Sequence, residues 1–308
     1  MSTDTSSSNA ELIRRAAEAA AGAQQYPKGA LYVVATPIGN LADLTLRAVQ
    51  VLGLVDAVAC EDKRVTAGLL RHLGLERPLV ALHEHNEAEA AGALIERMAR
   101  GERIAYVSDA GTPAISDPGA RLVAATQTAG LRVLPLPGAS SVITALSAAG
   151  DVQAAGHRFA GFLPPRGGER SARLAELAAQ PECTVLFEAP HRIEALAEAL
   201  AQAMPARPVT LCRELTKQFE TIVTQPAAAL PAWLAADEHR RRGEFVLVLH
   251  AQAADAADTA LPAAAERLLD ALLDGRPLKQ AVALVADATG APRNALYERA
   301  LALKAARG

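Results

Sequence analysis

Residues 106–119 read YVSDAGTPAISDPG, and the reading of the fold turns on them. Two Ser-Asp pairs, two glycines and two prolines follow directly on the apolar run Ile104–Val107. Gly111 and Gly119 allow a backbone with positive φ and let a ligand approach closely. Pro113 and Pro118 stiffen the loop, and Pro118 also suits the first position of a following helix. Asp109 and Asp117 offer acceptors for ribose hydroxyls or an ammonium group, while free loop amides can hold a carboxylate. Ser, Asp, Gly and Pro are equally ordinary turn residues. The stretch therefore gains meaning from its neighbours.

Upstream, Leu31–Ala35 is a nearly continuous apolar run ending in the turn Thr36-Pro37-Ile38-Gly39-Asn40. Residues 56–60, 79–82, 103–107 and 131–134 read as further strands, and helical patterns fill the intervals at 45–54, 65–73, 87–100 and 118–129. Continuous apolar strands alternating with helices indicate a parallel sheet with right-handed crossovers. Three Gly/Pro turns then fall at carboxyl ends of strands: ATPIGN (35–40), the opening stretch, and PLPGAS (135–140), whose Ser140 suits a helix cap. Ligands of open α/β sheets bind at that edge. None of the turns is GxGxxG, so a dinucleotide site is not expected.

After Gly150 the pattern changes. Strands are expected at 159–163, 184–188, 209–213, 219–223 and 245–250, with only two clear helices, which implies a second α/β domain with a mixed sheet. The expected organisation is a flexible extension at 1–28 with room for one short helix, α/β domains at 29–138 and 139–252, an Ala/Asp-rich linker at 253–262, and a helix-turn-helix-like domain at 263–308.

The chain has 308 residues, 51% hydrophobic and 21% charged, with net charge -3. That balance excludes wholesale polyanion binding and leaves room for local contacts. Cys60, Cys183 and Cys212 are far apart with no CxxC pair, which argues against a disulfide framework or zinc ribbon and for a reducing cytoplasm. His83 and His85 have no further ligand nearby, so no metal site is expected. No apolar run approaches the ~20 residues of a membrane span.

Charged clusters mark the second half. FLPPRGGERSAR (162–173) carries Arg166, Arg170 and Arg173 against one Glu169, a composition suited to phosphate contact. Glu188, His191 and Arg192 sit at a strand-to-helix junction, and Arg213, Glu214, Lys217 and Glu220 follow another strand. Residues 275–308 hold six Arg or Lys, Lys279 and Arg293 among them, against Asp287 and Glu298. That asymmetry suits a nucleic-acid-facing appendage, or equally a basic helix packed on its own protein.

The segments ATPIGNLADLTLRAVQVL, ACEDKR with TAGLLRHLG, VSDAGTPAISDPG, LPGASSVITALSAAG, GFLPPRGGER, FEAPHR, RELTKQFE and GEFVLVL occur in this order over about residues 29–250. Together they closely resemble the ribosomal RNA small subunit methyltransferase I family of the tetrapyrrole methylase superfamily. The resemblance implies two α/β domains of the tetrapyrrole methylase type plus a small C-terminal helical domain, homodimers, and S-adenosylmethionine as cofactor. It implies methyl transfer to the ribose 2′-hydroxyl of a cytidine in 16S ribosomal RNA, in the cytoplasm, on an assembled or nearly assembled 30S subunit. Carried onto this chain, Thr36, Pro37, Gly39, Ser108, Asp109, Ala110, Gly111, Thr112, Pro113, Pro137, Gly138, Ala139 and Ser140 are expected to hold the cofactor. Glu188, Lys217 and Glu220 are the catalytic candidates. Arg166, Arg170, Arg192, Arg213, Lys279 and Arg293 are expected to face RNA. Two other readings stay open: a superfamily enzyme acting on a corrin precursor or protein side chain, and a non-catalytic, cofactor-sensing nucleic-acid-binding protein.

Overall fold

The structure is a computed structural model that describes residues 5–83, 86–116, 118–252, 261 and 263–307. The first layer runs α1 (Thr5–Ala21), β1 (Ala30–Val34), α2 (Leu46–Leu54), β2 (Ala57–Cys60), α3 (Lys63–His72), β3 (Leu79–Ala81), α4 (Glu87–Ala99), β4 (Arg103–Val107), α5 (Ala120–Thr128), β5 (Arg132–Leu136) and α6 (Ser141–Ala149). Its five strands are all parallel in the order β3-β2-β4-β1-β5. Helices cover both faces. Val49, Val51 and Leu52 of α2 with Leu70 of α3 build one core, and Leu94, Met98 and Leu122 build the other. Burial on both faces is why these strands lack a polar alternation.

Because β4, β1 and β5 are neighbours, the three Gly/Pro turns stand side by side on one edge. The sequence had placed them on the same edge but not in this adjacency, since strand order is set by crossovers.

The second layer contains β6 (His157–Phe162), α7 (Gly168–Ala179), β7 (Cys183–Glu188), α8 (Ile193–Ala203), β8 (Pro208–Arg213), β9 (Thr221–Pro226), α9 (Leu230–Ala235) and β10 (Phe245–Leu249). Its order is β6-β7-β10-β8-β9, with β6 and β7 parallel and β10 antiparallel to both β7 and β8. The carboxyl ends of β6, β7 and β8 therefore share an edge with the start of β10. Buried Arg207 braces this layer, donating from Nε to the His250 carbonyl and from Nη1 to the Leu177 carbonyl, both at 2.8 Å. Helix α9 adds to the two helices expected, with Leu230 and Leu234 buried.

The chain divides into two compact units: residues 1–179 with 183–250, and residues 251–308 with 180–182. Both sheets belong to the first. The second holds α10 (Ala263–Leu273), α11 (Leu278–Thr289) and α12 (Arg293–Arg307) around a core of its own, including Leu269, Val285 and Leu296. Gly290, at φ 71°, ends α11 in the left-handed conformation that terminates helices. Positions 253–260 and 262 of the expected linker lie outside the described residues.

Two expectations are corrected. Residues 1–28 do not read as a flexible extension throughout, because residues 5–21 form α1. Ala10, Ala17 and Ala21 are buried, and their small side chains allow α1 to pack on α2. Arg14 Nη1 donates to the Gly74 carbonyl at 3.0 Å, and Gln50 Nε2 donates to Glu18 at 2.8 Å. The helix after the opening stretch starts at Ala120, not Pro118, because Gly119 adopts φ 119°. Its cap comes from elsewhere: buried Glu87 accepts the Gly119 and Arg121 amides at 2.9 and 3.0 Å. Asp117, offered by the sequence as an acceptor, and His85 lie outside the described residues.

Candidate active site

The rim on the first sheet is built mainly from backbone. Thr36 and Gly111 exchange both of their amide–carbonyl hydrogen bonds at 2.9 and 3.0 Å, tying the β1 turn to the β4 turn. Thr36 Oγ1 donates to the Ser108 carbonyl at 3.1 Å, and Ser108 Oγ donates to the Gly111 carbonyl at 3.1 Å. Thr112 Oγ1 donates to the Ala139 carbonyl at 2.9 Å, which joins the β5 turn. Gly111 sits at φ 83°. A Cβ on Gly138 would lie 2.8 Å from that of Ala35, so a side chain there would push the β5 turn off β1. Asp109 Oδ1 accepts the Asp62 amide at 3.1 Å, and Asp62 in turn caps α3 by accepting the Arg64 amide at 2.7 Å. Hydrogen bonds from Arg64 hold the Asp62 carboxyl at about 2.

The rim on the second sheet is built from charge. Glu188, with a fully buried side chain, accepts the Ala189 amide at 2.9 Å and meets Arg192 Nε at 3.0 Å and Arg170 Nη1 at 3.6 Å. Arg192 Nη2 then donates to the Leu163 carbonyl at 2.5 Å, and Arg170 Nη1 donates to the Pro164 carbonyl at 3.2 Å. Buried Glu188 and the partly exposed Arg170 and Arg192 thus pin the loop after β6. Across the sheet, Lys217 Nζ pairs with Glu214 and Glu244, each at 2.9 Å. Burial works to lower the Lys217 pKa, but the hydrogen bonds to Glu244 and Glu214 outweigh it and hold the ammonium above its ordinary range. Glu220 accepts the Thr216 amide at 2.6 Å, and Arg213 donates to the Arg242 and Phe219 carbonyls at 3.3 and 3.2 Å. Glu214 and Thr216 have φ of 54° and 66°, a strained pair that these contacts sustain.

The two rims enclose a cavity of about 380 Å³, inside the range of roughly 300–1,000 Å³ typical of ligand sites. Ile38, Ala110, Gly111, Thr112, Ile115 and Ser140 line it from the first layer. From the second come Phe162, Phe187, Glu188, Leu215, Glu244 and Phe245. Gly39 marks the closest approach of the rims: a Cβ there would sit 2.6 Å from Lys217 Cγ and 2.9 Å from the Leu215 carbonyl.

Of the expected cofactor residues, Ala110, Gly111, Thr112 and Ser140 reach the cavity wall. Thr36 and Ser108 are buried behind it, and Asp109 braces the turn to β2. Pro37, Gly39, Pro113, Pro137, Gly138 and Ala139 belong to the same turns but shape the wall rather than form it. Among the catalytic candidates only Glu188 lines the cavity. The arginines expected to face RNA divide. Arg170, Arg192 and Arg213 are partly buried and make the internal contacts above. Arg166 and Lys279 are exposed, and exposed Arg293 pairs with Asp287 at 3.0 Å. Sequence reasoning missed Phe162, Phe187, Ile115 and Leu215 as wall residues. Their positions directly before or within the charged motifs were the available signal.

A methyl donor built from an amino acid, a ribose and an adenine fits these walls. The α6 N-terminus, with Ser140 capping Ile143 at 3.5 Å, and the Ala110–Thr112 backbone offer polar groups. Ile38, Leu215, Phe245 and Val246 offer apolar surface. No phosphate loop is needed for such a molecule.

Comparison with known proteins agrees with this geometry. Residues 30–231 match the Tetrapyrrole (Corrin/Porphyrin) Methylases, and residues 259–304 match the RsmI C-terminal HTH domain. A Pseudomonas aeruginosa protein named ribosomal RNA small subunit methyltransferase I is 46% identical over 274 residues, covering 89% of this chain and 97% of its own. A Vibrio cholerae protein of the same name is 47% identical over 275 residues, covering 88% and 95%. Among solved structures, a diphthine synthase superposes with a TM-score of 0.56 at 15% identity, over 72% of this chain and 90% of its own, and so supports the fold alone. The chain belongs to the ribosomal RNA small subunit methyltransferase I family, within the tetrapyrrole methylases.

Proposed function

We propose that the chain is an S-adenosylmethionine-dependent methyltransferase that modifies the ribose 2′-hydroxyl of a cytidine in 16S ribosomal RNA. The observation that carries this reading is the convergence of the three first-layer turns on one cavity, in a chain 46% identical over 274 residues to a protein named for small-subunit ribosomal RNA methylation. S-adenosylmethionine supplies an electrophilic methyl group on a sulfonium. The turns at Thr36–Gly39, Ser108–Pro113 and Pro137–Ser140 would hold that donor by backbone groups and hydroxyls, and so would present its methyl group to an acceptor oxygen.

The charged rim then positions RNA. Glu188 spends its carboxylate on Arg170 and Arg192, and Lys217 stays protonated between two glutamates, so neither is placed to accept the hydroxyl proton. Both act by holding the loops that receive the substrate, and Glu220 does the same through Thr216. Among the described residues Glu244 is the other carboxylate on the cavity wall, 77% exposed, and through it the hydroxyl proton would pass to solvent as the oxygen–methyl bond forms and the methyl–sulfur bond breaks.

In this reading the chain works in the cytoplasm as a homodimer on an assembled or nearly assembled 30S subunit, with Arg166, Lys279 and Arg293 contributing phosphate contacts. Among the described residues no helix is long and apolar enough to cross a membrane. The test is transfer of labelled methyl from S-adenosylmethionine to small subunits from a strain lacking the protein. Incorporation into 16S RNA at a cytidine ribose is expected, and already modified subunits should take up none. No incorporation, or label only in a small tetrapyrrole, overturns the proposal.

A further inference from the structure

The sequence contains five Phe, four Tyr and one Trp in 308 residues. Two of the phenylalanines are largely exposed, Phe219 at 68% and Phe162 at 54%, and of these two Phe162 is the one that lines the cavity wall.

Its orientation is built in. Strand β6 carries a bulge between Phe159 and Gly161, with Gly161 at φ 64°. Phe159 pairs with Val185 and Phe162 with Phe187, so the bulge brings both phenylalanines to the same face of the sheet. With Ala160 paired in regular register and no bulge, strict alternation would put Phe162 on the opposite face. Bulges beside binding sites commonly re-aim a side chain in this way. Both rings meet Phe187 edge-on, at 4.9 and 5.6 Å between centroids. The segment that follows is fixed at Leu163 and Pro164 by Arg192 and Arg170, themselves held by buried Glu188. Four residues beyond Phe162, Arg166 stands exposed in the glycine-containing loop.

We infer that Phe162 is the stacking platform for the base of the nucleotide that is methylated, with Arg166 beside it to meet a backbone phosphate. This rests on the function proposed above. A ribose hydroxyl can reach a cavity between two sheet edges only if its nucleotide is drawn out of the RNA stack, and unstacked bases are held on aromatic faces. The exposed ring at the mouth of the donor cavity supplies that face, and the Glu188 triad keeps it in place.

Steady-state methylation of unmodified small subunits by the full chain tests the inference. Phe162→Ala should raise KM for subunits roughly 5- to 100-fold, the range that base–aromatic stacking provides. Affinity for S-adenosylmethionine by calorimetry should stay within about twofold, which also shows that the variant is folded. Phe162→Tyr should behave as the parent, whereas Phe162→Leu, apolar but not flat, should resemble Phe162→Ala. An unchanged KM, a parallel loss of S-adenosylmethionine affinity, or full activity of the leucine variant overturns the inference. If the parent chain itself transfers no methyl, the functional reading fails as well. If the parent is active and the variants are indistinguishable from it, only the platform fails.

Discussion

The two rims of the cavity solve the same problem with different materials. The first holds its turns together with backbone hydrogen bonds, hydroxyls and close-packed glycines. The second holds its loops with ion pairs, two of them buried around Glu188. A backbone-built rim stays the same shape when side chains change, as suits a site for one small donor. A charge-built rim depends on each partner, and losing one leaves the others uncompensated.

The sharpest way to break the comparison is Glu188→Gln. It leaves the Arg170 and Arg192 guanidiniums without their counter-charge in a buried site, and should cost about 3–5 kcal/mol of stability. Thermal unfolding should show a marked fall in Tm, with KM for subunits rising as the loop after β6 is released. Unchanged Tm with abolished kcat would instead make Glu188 the proton acceptor. Gly111→Ala probes the other rim. A side chain at φ 83°, with its Cβ 3.2 Å from Ile38 Cγ2, should cost roughly 1–2 kcal/mol. It should weaken S-adenosylmethionine binding in calorimetry while leaving the Glu188 triad intact, and unaltered affinity would show that this turn does not touch the donor. The smallest effect is expected at His250. This buried ring shares a 2.7 Å hydrogen bond with Thr210 Oγ1, and burial pushes its pKa below the ordinary 6.5. The unfolded chain therefore takes up the proton first as pH falls, so this contribution is complete above about pH 6.5 and is lost below it. His250→Gln should flatten the acid limb of a plot of Tm against pH, and an unaltered limb would assign it to other groups.

The same contrast explains what the sequence could and could not reveal. Gly/Pro turns after apolar strands are local signals, so the parallel sheet and the cavity-lining edge were legible from residues 31–140. Charges are legible too, but their partners are not. Arg170 and Arg192 looked like phosphate ligands because nothing in FLPPRGGER or FEAPHR shows that these segments meet around Glu188. The α1 helix was legible only as one short helix in a loose extension, because its packing surface is alanine, which leaves little apolar periodicity to read. Phe162 was hidden by a one-residue bulge, which strand alternation cannot anticipate.

The place of β10 in the second sheet has a consequence for biosynthesis. All strands of the first sheet have been made once Leu136 is reached, whereas β7 and β8 become neighbours of a shared strand only when Phe245–Leu249 emerges. Until then each has an edge lacking its final partner, the kind of surface that recruits other chains. The first sheet can form early on the ribosome, and the second must wait until Phe245–Leu249 has been made.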